Sequence, residues 1–170
     1  MIIRTARLED ARAIAAIHVR AWQSAYRGII PSAFLDDLSI DQRENVWRQQ
    51  LVRGDTTIFL AEENEQALGW AQVARSRDAD AGSVTGELYA IHVAPEHWRH
   101  GVGQQLWREG AVHLSRSGFA EVTLWVLRDN AGACAFYRSN GFAVDVGIEK
   151  TLQLAGAELV EIRLRSRIGG

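Results

Sequence analysis

The chain has 170 residues, enough for one domain that buries roughly 70% of the surface its unfolded form exposes, and short for two. With 47% hydrophobic and 24% charged residues it has the balance of a folded globular chain, and its one cysteine, Cys134, excludes an internal disulfide framework. A net charge of −2 argues against a general nucleic-acid binder, which needs clustered positive charge, and no apolar run reaches the roughly 20 residues of a membrane span.

Ile2 to Arg7 alternates apolar and polar and predicts a first strand. Asp10 is placed as a helix N-cap before an alanine-rich stretch that sets Ile14, His18 and Trp22 on one face. Tyr26 to Pro31 breaks that helix, and a second helical stretch, in one or two pieces, runs from Ser32 to Val52 and stops at Gly54. Thr56 to Ala61, a turn at Asn64-Glu65 and Leu68 to Ala74 predict a hairpin, followed by a loop from Arg75 to Gly82. Gly86 to Val93 is the next strand, and the turn Trp98-Arg99-His100-Gly101-Val102-Gly103 opens a helix to Ser117. Val122 to Leu127 is a strong strand, and a short helix from Asn130 to Asn140 is closed by Gly141. Phe142 to Ile148 and Leu159 to Leu164 are the closing strands. This order gives one mixed α/β domain over residues 1–170, with its core at about 2–164.

Two segments carry chemistry. The strand ending at Val93 runs into Gly101-x-Gly103 and a helix, whose free N–H groups and positive dipole end suit an anion. It is not a dinucleotide fingerprint, because the third glycine position holds Leu106, and not a P-loop, because the sole lysine is Lys150. The second segment runs from Asn130 to Phe142, with small residues at 131–135 and Tyr137 two turns into the helix. The five histidines lack metal-site spacing and Cys134 has no second thiol, so no metal is expected.

Together these segments resemble the GNAT family of N-acetyltransferases. The first is similar to its Gln/Arg-x-x-Gly-x-Gly/Ala pattern, and the second to its Asn…Ala…Tyr…Gly-Phe pattern through Asn130, Ala133, Tyr137, Gly141 and Phe142. One departure is Trp98, which stands at the Gln/Arg position. The resemblance implies a central, mostly antiparallel sheet with a splayed parallel strand pair, flanked by helices. It implies acetyl-CoA as co-substrate, with the pantetheine arm beside Ile91 and Val93. The diphosphate would then lie on the N–H groups of Arg99, His100, Gly101, Val102, Gly103 and Gln104, with Asn130, Ala133 and Tyr137 completing the cofactor side. An amine would attack the thioester directly, with the Val93 N–H as oxyanion donor, Tyr137 as acid to the leaving thiolate and Glu87 as base through water.

Alternatives stand beside these roles. Tyr137 is also a plausible core aromatic next to Phe136, Glu87 a solvent-facing strand residue, and His92 a second base if a bulge turns it inward. Trp22 and Tyr26 are either acceptor-pocket or core residues, and His18 and Cys134 are expected to be packed. The expected partner is a small-molecule amine, with no nucleic acid and no membrane; a homodimer is compatible. Met1 to Thr5 lacks a signal-peptide layout, so a cytoplasmic protein is expected. Acylation of a peptide amine, transfer of a longer acyl group, and acyl-CoA sensing without turnover are the competing functions.

Overall fold

The computed structural model describes residues 1–169. Strand β1 (Ile2–Thr5) leads through a single 3-10 turn into helix α1 (Ala11–Ala25). The Asp10 carboxylate caps that turn, accepting from the Arg7 N–H at 2.7 Å, while Arg4 grips it with both terminal nitrogens. It therefore fixes the entry to α1 from behind and makes no side-chain bond to the α1 amides. The Tyr26–Pro31 break separates α1 from a short helix α2 (Ser32–Asp36), and α3 (Ile40–Arg53) follows as the second of two pieces. Gly54, in the left-handed region at φ 64°, ends α3.

Strands β2 (Thr57–Glu63) and β3 (Gln66–Arg75) form the expected hairpin, turned by Asn64 and Glu65 with φ of 50° and 63°. Two positive φ values in a two-residue loop match the right-handed twist of the strands. Strand β4 (Thr85–Val93), helix α4 (Val102–Arg116), strand β5 (Glu121–Leu127) and helix α5 (Ala131–Ser139) come next, and β6 (Ala143–Leu154) and β7 (Ala157–Arg167) close the chain. The last hairpin is longer than its sequence pattern predicts. After a register shift between Val144 and Glu149, β6 continues to Leu154 as a polar edge strand, where only Leu152 and Leu154 alternate with polar neighbours.

Among the described residues, the seven strands lie in the order β1-β2-β3-β4-β5-β7-β6, and every pair is antiparallel except β4–β5. One face packs on α4 and α5 around Leu106, Leu114, Val122, Leu124 and Leu164. The other face carries α1 and α3, with Ile14, Trp47, Leu60 and Trp70 at its centre. The amphipathic stripe predicted for α4 is the buried one, from Val102 through Leu106 and Gly110 to Leu114.

Candidate active site

The parallel pair is short. β4 and β5 are in register only at Thr85, Gly86 and Glu87 against Glu121, Val122 and Thr123, and beyond Glu87 they diverge. Across β4, the register against β3 shifts between Gln72 and Val73, leaving Tyr89 as the extra residue of a bulge. Past the bulge, the Ala94 N–H donates to the Leu68 carbonyl at 2.9 Å. In an antiparallel ladder the bonded positions alternate, so Ala90, His92 and Ala94 face β3 while Ile91 and Val93 turn their peptide groups toward the gap. Gly69 permits this close approach, since a Cβ there would lie 2.9 Å from the His92 carbonyl oxygen. The Trp98 indole N–H donates to the Val93 carbonyl at 2.7 Å and thereby fixes that peptide.

The chain then turns through Arg99 (φ 63°) and Gly101 (φ 81°), both left-handed, and enters α4. The first intrahelical bond runs from the Gln105 N–H to the Gly101 carbonyl, so Val102, Gly103 and Gln104 have no carbonyl one turn back within the helix to accept from their N–H groups. Space around Gly101 is open, whereas a Cβ on Gly103 would meet the Phe136 ring at 3.2 Å. The α4 N-terminus is thus a nest of amides pressed against α5. Asn130 caps α5 by accepting from the Ala133 N–H at 3.1 Å, which commits that amide internally. Tyr137, only 8% exposed, meets the rings of Phe136 and Phe142 in the core between α5 and the sheet, and burial pushes its hydroxyl pKa well above the usual phenol value.

Glu87, the last residue of β4 paired with β5, is 2% exposed and does not face bulk solvent. Its carboxylate accepts from the Arg77 N–H at 2.9 Å and pairs with the Arg77 guanidinium, which also lies 3.6 Å from the Tyr89 ring centre. Arg77 belongs to the loop between β3 and β4, where the sequence shows only a polar connection. That loop is a strap over the sheet face. Asp80 binds Arg163 of β7 through two bonds of 2.6 and 2.7 Å, and Asp78 accepts from the Trp125 indole at 2.9 Å. Arg163 is 3% exposed and also pairs with Asp145. No local pattern signals these contacts, because the partners lie from 10 to 83 residues apart in the chain.

Trp22 and Tyr26 stand edge to face, 5.0 Å between ring centres, and pack with Leu127 and Leu159 on the strap side of the sheet. Burial pushes the Tyr26 hydroxyl up to about 12. His18 stacks on Trp22 and on Trp70, and His92 lies 5.4 Å from His18 between ring centres. Burial pushes His18 down to about 3 and His92 to about 4, so both imidazoles are neutral near pH 7. Cys134 is buried and burial raises its thiol pKa, which suits packing and not nucleophilic attack.

The geometry amounts to a gap between two parallel strands. Peptide groups and an amide nest lie at one end, a buried tyrosine on one flank, and carboxylates and aromatics on the other. Residues 11–142 match the model of the Acetyltransferase (GNAT) family. The N-acetyltransferase YuaI of Bacillus subtilis is 32% identical over 163 residues, which cover 95% of this chain and 90% of that one. Among solved structures, the PaiA N-acetyltransferase of Thermoplasma acidophilum in complex with coenzyme A superposes with a TM-score of 0.75 at 20% identity, covering 98% of each chain. An acetyltransferase of Salmonella typhimurium with its cofactor acetyl-CoA gives 0.75 at 23% identity, covering 100% of this chain and 95% of that one.

Proposed function

The chain belongs to the GNAT family of acetyltransferases, and from that premise we propose that it moves an acetyl group from acetyl-CoA to the primary amine of a small molecule by direct attack in a ternary complex. The observation that carries this reading is the divergence of β4 from β5 after Glu87, with the Ile91 and Val93 peptides turned into the opening. Bound acetyl-CoA supplies the reactive thioester. Ile91 and Val93 align the pantetheine arm as an added strand would, and the free amides from Arg99 to Gln104 hold the diphosphate. Asn130 and Ala133 shape the wall of that side through the cap of α5.

The Val93 N–H serves as donor to the charge that develops on the acyl oxygen, a role whose loss typically costs about 10²–10³ in rate. Tyr137 protonates the departing sulfur, and its raised pKa keeps the proton in place until then. Glu87 takes the amine proton through a water, its carboxylate held in place by the Arg77 backbone N–H and guanidinium. Trp22 and Tyr26 line the acceptor side. Holding both substrates in line supplies much of the remaining acceleration.

The test is release of free CoA thiol from acetyl-CoA against a panel of primary amines, with the product mass measured. An acetylated amine with stoichiometric thiol is expected. Binding of CoA with no amine in the panel acetylated would overturn catalysis on small amines.

A further inference from the structure

Among the described residues, every other carboxylate that is not exposed, from Asp10 through Asp145, pairs with an arginine. Glu161 of β7 is the exception: it is half-buried, on the face that carries Arg163 and the strap, directly across from Leu127 at the end of β5. Leu127 packs with Tyr26 and Trp22, so Glu161 borders the acceptor side of the strand gap. The charged and titratable groups that face it are Lys150 of β6, its cross-strand neighbour, Arg77 of the strap and the neutral Tyr26 hydroxyl of the α1 end. Both cations are already engaged. Lys150 lies 3.5 Å from the Trp125 ring centre and 3.5 Å from Asp78, and Arg77 is held by Glu87. A half-buried carboxylate with no ion-pair partner of its own leaves a charge that a bound cation can pair.

We propose that Glu161 is the docking carboxylate for the acceptor, receiving it as an ammonium ion on the open flank of the strand gap and selecting cationic amines over neutral nucleophiles. This rests on the acetyl-transfer reading and specifies its acceptor. Burial raises the Glu161 pKa, a cost to its charge that a bound cation offsets. Tyr26 and Trp22 present aromatic surface to the rest of the amine.

The experiment is calorimetric titration of CoA-free and CoA-saturated protein with n-butylamine and with 1-butanol, near neutral pH, where the two probes differ chiefly in charge. The wild type is expected to bind the amine about tenfold or more tightly than the alcohol, as a hydrogen bond to a charged group implies. Glu161→Gln should reduce that preference to about twofold or less, and Glu161→Asp should retain most of it, with melting temperatures confirming that both variants fold. Equal binding of amine and alcohol by the wild type, or an undiminished preference in Glu161→Gln, overturns the proposal. The CoA titration itself is a separate readout: no CoA binding would sink the cofactor reading, whereas the amine preference reports on Glu161 alone.

Discussion

The indole N–H of Trp98 donates to the carbonyl of Val93 at 2.7 Å, across the turn that joins the end of β4 to α4. Trp98 stands where the family pattern has Gln or Arg, and its side chain holds the peptide plane at the last residue of the strand. The departure from the pattern thus puts a neutral indole donor on the strand end.

Trp98→Phe keeps an aromatic ring, though a smaller one, and removes that donor. We expect kcat to fall about three- to tenfold, the worth of one hydrogen bond, with acetyl-CoA affinity little changed. Steady-state kinetics in both substrates check this, and an unchanged kcat would detach Trp98 from the alignment of Val93.

Tyr137→Phe removes only a hydroxyl from a buried ring. It should lower kcat about 10²-fold, the common yield of a positioned acid, while leaving acetyl-CoA binding within about twofold. Equal loss in kcat and in cofactor affinity would indicate a packing role.

Gly103→Val places a side chain where even a Cβ would meet Phe136 at 3.2 Å and Val93 Cγ2 at 3.6 Å. The α4 N-terminus must then move away from α5, and the amide nest moves with it. CoA affinity should drop by at least about tenfold, with a loss of about 1–2 kcal/mol in stability by urea unfolding. Wild-type CoA affinity in this variant would remove the diphosphate from that nest.

His18 sets a pH dependence of stability. Burial lowers its pKa to about 3 in the folded chain, while the unfolded chain retains a value near 6.5. Below that unfolded pKa the unfolded state binds more protons, so stability falls as pH falls. His92, also depressed, acts in the same direction. Between about pH 6 and pH 4.5 His18 alone should contribute up to about 1.4 kcal/mol per pH unit, and His18→Phe should remove that share. Chemical unfolding across this window measures it; equal slopes in the two proteins would contradict the neutral, buried imidazole. The paired carboxylates Asp10, Glu121 and Asp145 have lowered pKa values, and their contribution is lost only as pH falls below about 4.

Much of the fold was legible because its signals are local. The α4 stripe, Gly54 and Gly141 at helix ends, and Asn64-Glu65 at a tight turn each depend on neighbours a few residues away. The glycine turn and the helix that follows Asn130 were legible for the same reason. The strap was not. Arg77 pairs with Glu87 across the β3–β4 connection, and Arg163 meets Asp80 from 83 residues away, so their partnership exists only once β7 lies beside β5. The end of β6 was missed because an edge strand with one apolar residue in two over so short a run looks like loop. Glu161 reads in the sequence as the polar half of an alternating strand, and its lack of a partner becomes visible only when every other withdrawn carboxylate has been matched to an arginine.

The most direct measurement is the melting temperature of the protein with and without acetyl-CoA. At a ligand concentration of about 100 times Kd, selective binding to the folded chain adds about 2.7 kcal/mol, a rise of several degrees for a chain of this size. That rise, reproduced by CoA and diminished in Gly103→Val, is the predicted result. A folded protein whose melting temperature is indifferent to both ligands would contradict acetyl-CoA binding in the gap between β4 and β5.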